Sequence, residues 1–409
     1  MEGGVGSNSV EELKGLRITS LDDDDEEEPE MVIEEDDDDE EEEQNDVALG
    51  FLKKPKNSRS LLRHFFPSKA GGVPAWLDPV NLPSGRSCLC DICREPLQFL
   101  LQVYAPEDED KEYAFHRTIF VFICTSLICL RRDQHEQWKR HPEKPSRSVK
   151  VFRCQLPRFN PFYSSEPPKK DDKPPENGVA LCTWCGTWKG IKECSSCGKA
   201  LYCLEKHRIM HSQLGHDYDC QRVRIASDSS DRSLSNCQIE STELQKEKVA
   251  CNTLWPEFKI ILDYESAFDA EISTDNASAN ALVSRNETDF TMMSQLQQFE
   301  GDDDKKSWAS FQERISWASE QMLRYCNTPG AKPLWPMSSG RPSNDDIPKC
   351  KYCSGPMRFE FQILPQLLYY FRVRNDVDSL DFATIAVYTC QASCESGVAY
   401  KEEFAWVQL

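Results

Sequence analysis

The chain has 409 residues and a mass of 46.9 kDa, with 39% apolar and 10% aromatic residues, which allows two or three domains with real cores. Its formal charge of −21 is unevenly placed: Asp22 to Asp46 holds 19 acidic side chains and no Lys or Arg, and taking these from the 69 acids leaves 50 against 48 bases. The longest apolar run, Thr118 to Leu130, covers 13 residues, short of the roughly 20 that a membrane helix needs.

Residues 1–46 read as a disordered acidic tail, because its Asp/Glu blocks repel themselves and bury almost nothing. The N-terminus has no basic stretch followed by an apolar core, so no secretory signal is expected. Nineteen cysteines in such a chain point to a reducing compartment, where Cys pairs more often hold metal than form disulfides. A soluble intracellular protein is expected, cytoplasmic and without membrane contact. Lys53-Lys54-Pro55-Lys56 is too short a cluster to establish a nuclear share as well.

From residue 47 to 161 the composition becomes globular, with strands expected at Leu97–Tyr104, Ile119–Ile123 and Val149–Arg153, all rich in aromatic and β-branched residues. Ser164–Asn177 carries four prolines and many charges and reads as the centre of a linker at 162–181. A Cys/His-dense block spans 182–220, followed by a second linker at 221–253. The last part, 254–409, opens with an apolar island at Leu254–Phe268 and contains a Ser/Asp/Asn-rich insert, 273–306, expected to be disordered. Trp308–Cys326 has helical spacing through Phe311, Ile315, Ala318 and Met322. Strands are expected at Met357–Leu364, Phe382–Thr389 and Tyr400–Val407. The fold class is therefore α+β, mainly β.

One internal similarity organises the whole. Cys90-Asp91-Ile92-Cys93, Pro96, Phe99 and Gln102 recur as Cys350-Lys351-Tyr352-Cys353, Pro356, Phe359 and Gln362, in register and 260 residues apart. A second strand follows each copy and runs into another Cys pair, Cys124/Cys129 and Cys390/Cys394. Two copies of one β-rich unit, with a small domain inserted between them, is the simplest reading.

The inserted block carries the chemistry. Its series is Cys182-x2-Cys185-x8-Cys194-x2-Cys197-x5-Cys203-x3-His207, then His216-x3-Cys220: eight soft ligands in 39 residues, enough for two tetrahedral sites. Zinc suits them, being redox-inert and accepting thiolate and imidazole in four-coordinate structural sites. With every position filled by protein, such metals stabilise a domain too small to fold alone and leave no open site for catalysis.

This segment, with its Tyr202-Cys203 step, resembles a MYND zinc finger. The resemblance implies two interleaved zinc sites, one held by Cys182, Cys185, Cys203 and His207, the other by Cys194, Cys197, His216 and Cys220. Most such fingers have Cys where this chain has His207, a departure that still leaves a Cys3His site. His211 has no place in the pattern and reads as a surface residue.

Beyond the finger, Leu49-Gly50-Phe51-Leu52, Pro67 to Leu77, Gln102-Val103-Tyr104-Ala105-Pro106, Val151 to Arg158, Trp255-Pro256-Glu257-Phe258, Pro333-Leu334-Trp335 and Glu402 to Gln408 resemble the programmed cell death protein 2 family, as a plant-like or other eukaryotic member. The resemblance implies a two-part β-rich domain with an inserted MYND finger. It also implies a dedicated chaperone or adaptor for a newly made small-subunit ribosomal protein of the universal S-five type, supporting 40S biogenesis, and a monomer outside that complex. The acidic tail is longer than the family pattern suggests. Physically, it could screen a basic client, or it could serve solubility alone. Client binding through the exposed strand edges of the β-rich unit is the accompanying expectation.

Other features are less decided. Cys90, Cys93, Cys124 and Cys129, and likewise Cys350, Cys353, Cys390 and Cys394, could form further zinc sites or be ordinary buried thiols. Arg131–Arg158 has nine basic and three acidic residues; it reads as a solvated loop, with contact to pre-ribosomal RNA or to the acidic tail as the alternative. The competing function is a MYND-mediated transcriptional or corepressor adaptor gripping proline-rich peptides. An enzyme is not expected, since the sequence has no HExxH, GxSxG, P-loop or methyltransferase step.

Overall fold

Gln98–Tyr104 and His116–Ile123 consist almost wholly of apolar, aromatic and β-branched residues, and they pair as a hairpin buried on both faces. They belong to a computed structural model that describes residues 47–107, 111–139, 146–169, 172, 177–218, 220, 249–268, 303–374 and 376–409. The strands, in chain order, are β1 (Ala48–Lys53), β2 (Lys69–Ala70), β3 (Gln98–Tyr104), β4 (His116–Ile123), β5 (Val149–Leu156), β6 (Lys192–Glu193), β7 (Leu201–Tyr202), β8 (Phe258–Tyr264), β9 (Leu323–Tyr325), β10 (Met357–Ile363), β11 (Thr384–Cys390) and β12 (Tyr400–Gln408). The α-helices are α1 (Leu127–Gln137), α2 (Glu205–His211), α3 (Asp303–Ser316) and α4 (Gln366–Tyr370).

Ten of the strands close into one antiparallel barrel, in the order β1-β8-β2-β3-β4-β5-β12-β11-β10-β9 and back to β1, while β6 and β7 pair separately. The order is that of two equivalent halves, β1–β5 and β8–β12, which meet along the β5–β12 pair and along β1–β8. Each half places its first strand beside the second strand of the other half: β1 pairs with β9, and β8 with β2. The equivalence extends to detail. The β3–β4 register shifts between Phe99 and Leu101, and the β10–β11 register between Phe359 and Phe361. Gln102 accepts from Ala75 N at 2.8 Å and Gln362 from Leu334 N at 2.6 Å, so each glutamine clamps a Pro-x-Trp loop.

Alternate residues of these strands, among them Ile119, Val121, Val151, Ile385, Val387 and Val407, share one core cluster. Arg117, two positions before Ile119, is fully buried and makes a paired contact with Glu360 of β10, Nη1–Oε1 at 2.5 Å and Nη2–Oε2 at 2.7 Å. Arg153 and Glu403 form a second buried pair, across β5 and β12. The opposite faces of β3–β5 present Phe99, Phe120, Phe122 and Phe152, which join Trp76 and residues of the 182–220 segment in another cluster.

Several sequence expectations change. The helix starts at Asp303, inside the stretch expected to be a disordered insert, and ends at Ser316 rather than Cys326. Leu323–Tyr325 is drawn instead into pairing with β1 and β10, where the barrel buries Met322 and Leu323 completely. Barrel closure uses both sides of every barrel strand, so the barrel does not offer the free edge expected for a client segment. Arg131–Arg158 is not a single loop: residues 127–137 are helical and 149–156 are a barrel strand, in which Lys150 and Arg153 are buried against Asp91 and Glu403, while 140–145 lie outside the described residues. The acidic tail, residues 221–248 and residues 273–302 of the expected insert lie outside the described residues. Among the described residues, no helix is long and apolar enough to cross a membrane.

His116 has a pH-dependent consequence. Its Nδ1 lies 3.0 Å from the Tyr104 hydroxyl, its ring stacks on Phe66 at 4.1 Å, and burial lowers its pKa from 6.5 to about 4. The folded state therefore holds it neutral while the unfolded chain would protonate. Its contribution is full above about pH 6.5 and is lost as pH falls towards 4, to a total of about 3 kcal/mol. Urea midpoints measured at pH 7 and pH 5 should fall more steeply for the wild type than for His116→Phe; equal slopes would remove this assignment.

Candidate metal centres

The structure brings Cys182, Cys185, Cys203 and His207 together as one quartet, and Cys194, Cys197, His216 and Cys220 as another. In each, the potential ligand atoms all lie within 4.8 Å of one another. The two sets alternate along the chain. In the first, His207 Nδ1 is 3.1 Å from Cys203 Sγ and 3.5 Å from Cys182 Sγ, and Cys185 Sγ is 3.9 Å from Cys203 Sγ. In the second, His216 Nε2 is 3.3 Å from Cys194 Sγ and 3.9 Å from Cys197 Sγ, and Cys194 Sγ is 3.8 Å from Cys220 Sγ. Such sulfur separations are far above the ~2.05 Å of a disulfide. They match the edge, about 3.8 Å, of a tetrahedron with metal–sulfur bonds of about 2.3 Å. The donor set fits a closed structural zinc site.

Local sequence explains the placement. Cys182 and Cys194 each open a tight loop, closed by Gly186 N–H donating to Cys182 O at 2.7 Å and Gly198 N–H to Cys194 O at 2.8 Å. The β6–β7 pair frames the second loop, with Lys192 opposite Tyr202 and Glu193 opposite Leu201. Helix α2 then presents His207, and a break at Gly215, φ 110°, turns His216 back to Cys194. Seven of the eight ligands are buried and Cys197 is half-buried. Hydrogen bonds from Cys185, Cys203 and His207 hold the Cys182 thiol far below its ordinary pKa, which favours a thiolate there.

His211 is not a surface residue. It is half-buried, with Nδ1 3.0 Å from the Tyr202 hydroxyl and its ring 4.5 Å from that of His216, so it buttresses a ligand. The segment is also not a free module on a tether. Trp188 Nε1 donates to Leu97 O at 3.0 Å, Trp76 Nε1 donates to Thr187 O at 2.8 Å, and the Trp188 ring lies 4.5 Å from Phe122. Sequence reasoning missed this docking. Its one available signal was a pair of tryptophans, Trp184 and Trp188, close together in a segment too small to bury both by itself.

Two more quartets form on the barrel: Cys90, Cys93, Cys124 and Cys129, and Cys350, Cys353, Cys390 and Cys394. Outside the quartets, Cys88, Cys154 and Cys326 are buried thiols and Cys251 is half-buried, while Cys237 lies outside the described residues. A groove of about 390 Å³ beside Val47, lined in part by Arg314, Lys332 and Phe359, includes none of the quartet residues. Its Arg314 and Arg324 are bound to Glu265.

Fold and site together define a duplicated, strand-exchanged β-barrel protein with clustered Cys and Cys/His donor sets. Residues 46–170 match the family model described as programmed cell death protein 2, N-terminal domain, and residues 305–409 match its C-terminal putative domain. The first two quartets lie between these stretches. The chain is 34% identical over 371 residues to programmed cell death protein 2 of Bos taurus, covering 88% of this chain and 95% of that one. It is 33% identical to the Rattus norvegicus protein of the same name, over 88% and 96%. It is also 28% identical to programmed cell death protein 2-like of Mus musculus, over 80% and 85%. No solved structure matches. The chain belongs to the programmed cell death protein 2 family.

Proposed function

We propose that this protein is a non-enzymatic chaperone or adaptor that holds a newly made, basic small-subunit ribosomal protein of the universal S-five type and supports 40S assembly. Residues 182–220 are then a MYND-type finger with two structural zinc ions, held by the two quartets that the sequence suggested. The observation that carries the reading is the charge partition: 19 carboxylates in Asp22–Asp46 precede a remainder with 50 acids and 48 bases. A basic client without its RNA needs such a counter-charge, and a long acidic run raises its encounter rate and competes with nonspecific RNA. Because the barrel is closed, the client is held by side-chain surfaces and not by strand addition. The protein acts in the cytoplasm.

A second reading has its own support. Ile191, Ile209, Leu214 and Tyr218 are exposed on the finger, an apolar surface suited to proline-rich peptides of nuclear regulators. Quantitative mass spectrometry of material copurified from RNase-treated extract separates the two. One basic small-subunit protein at near-equal amount with the full chain, reduced several-fold when residues 1–46 are removed, is the expected result. Proline-rich nuclear proteins that disappear with Leu214→Ser/Tyr218→Ser, and no ribosomal protein, would replace it with the adaptor reading.

A further inference from the structure

We propose that the two barrel quartets are metal sites as well, each binding one zinc ion through four thiolates, so that the folded protein carries four zinc ions. The argument rests on a comparison within the molecule. All four Cys-x2-Cys loops close in the same way. The residue after the second Cys donates its N–H to the carbonyl of the first: Arg94 to Cys90 and Ser354 to Cys350, both at 2.9 Å, as Gly186 does to Cys182 and Gly198 to Cys194. That residue has positive φ each time, 65° at Arg94 and 59° at Ser354, against 62° and 64° at the two glycines. A left-handed backbone is unfavourable for Arg and Ser. Its adoption at both barrel loops shows that the loop shape is demanded by what it encloses.

The enclosed atoms fit a metal. Sulfur separations are 3.6 Å for Cys93–Cys124, 3.7 Å for Cys350–Cys394 and 3.5 Å for Cys353–Cys390, close to a tetrahedral edge and too long for disulfides. In the Cys350 quartet donors also face the sulfurs: Gly355 N–H points at Cys353 Sγ at 3.4 Å, and Arg153 Nη2 lies 3.8 Å from Cys394 Sγ. Cys93 and Cys353, the second Cys of each loop, are the exposed members of the two sites, while the fourth, Cys129, is buried and Cys394 half-buried.

The sites also have a mechanical position. Each loop precedes the first strand of a hairpin, β3 or β10, and the third ligand, Cys124 or Cys390, stands at the end of the partner strand, β4 or β11. A metal there fastens the end of the hairpin opposite its turn. The fourth ligand differs: Cys129 lies in α1, which ties that helix to the first half, whereas Cys394 comes from the loop before β12. The different fourth positions account for the different spacings of the second pairs, Cys124-x4-Cys129 and Cys390-x3-Cys394.

The test is a metal count on the full chain, purified without chelator, by native mass spectrometry and elemental analysis. Four zinc ions per chain are expected, three in Cys93→Ser or Cys353→Ser, and two in the double variant with circular dichroism unchanged. A second measurement needs no variant to fold: cobalt-loaded wild type titrated with a chelator should show the absorption of tetrahedral all-thiolate sites alongside that of Cys3His sites. Two zinc ions in the wild type, with Cys93→Ser and Cys353→Ser still holding two, would overturn the proposal. So would a disulfide between Cys90 or Cys93 and Cys124 in protein kept under reducing conditions.

Discussion

Arg117→Met should cost about 3–5 kcal/mol and lower the melting temperature by roughly 10 °C, the largest effect expected from any single substitution in the barrel. The guanidinium has no solvent exposure and bridges β4 of the first half to Glu360 on β10 of the second; Glu107 Oε1 also lies 3.5 Å from its Nε. Removing it leaves the Glu360 carboxylate buried with only neutral partners, the Tyr325 and Thr389 hydroxyls. The penalty is therefore that of an uncompensated charge and not of a lost contact. Arg117→Met/Glu360→Leu should regain most of the loss, because both desolvation costs disappear together. Differential scanning calorimetry of the wild type, both single variants and the double variant closes the cycle. A double variant as unstable as Arg117→Met would mean that the pair contributes geometry no apolar filling can replace.

Cys182→Ser has a comparably large expected effect, spread differently. A structural zinc contributes on the order of 10–16 kcal/mol to a finger that would otherwise not fold, so loss of one ligand should release the ion and unfold 182–220. The damage should extend past the finger. Trp188 fills the space over Phe122 and Leu97, and Trp76 loses its acceptor at Thr187 O. Hydrogen exchange should accelerate through 182–220 and reach the outward-facing side of β3 and β4, while β10–β12 stay protected. Exchange confined to 182–220 would show that the docking contributes little. Acceleration throughout β10–β12 would make the finger a condition of barrel folding.

These effects differ in how far sequence could foresee them. The grouping of the Cys/His donors was legible because metal sites impose local spacing: Cys182-x2-Cys185 and Cys203-x3-His207 are short-range patterns with a chemical reason. The strands buried on both faces were legible from content, since Ile119–Ile123 and Val149–Arg153 have few other uses. β1, β2 and β9 were not. They are six, two and three residues long, and each has a partner about 190 to 275 positions away that helps hold it in place where its own propensity would not. Leu323–Tyr325 continued the helical spacing of α3, and only the barrel decides otherwise. The same limit applied to docking, because the Trp188–Leu97 contact joins residues 91 positions apart and leaves no periodic trace. The pairing of Arg117 with Glu360, 243 positions away, leaves no trace in sequence for the same reason.

The exchange of first strands sets a timetable for synthesis. β1 is complete at Lys53, but its neighbours are Phe258–Tyr264 and Leu323–Tyr325. At about 5–20 residues per second, roughly 15–55 seconds pass before the second of them has been made. From Leu156 onward the nascent chain carries β2–β5 as a sheet whose outer strands, β2 and β5, still lack β8 and β12, an arrangement prone to aggregate. The acidic run Asp22–Asp46 leaves the ribosome before any of these strands. The unfinished chain therefore already carries 19 carboxylates uninterrupted by Lys or Arg, and like charge of that size opposes the association of one unfinished copy with another.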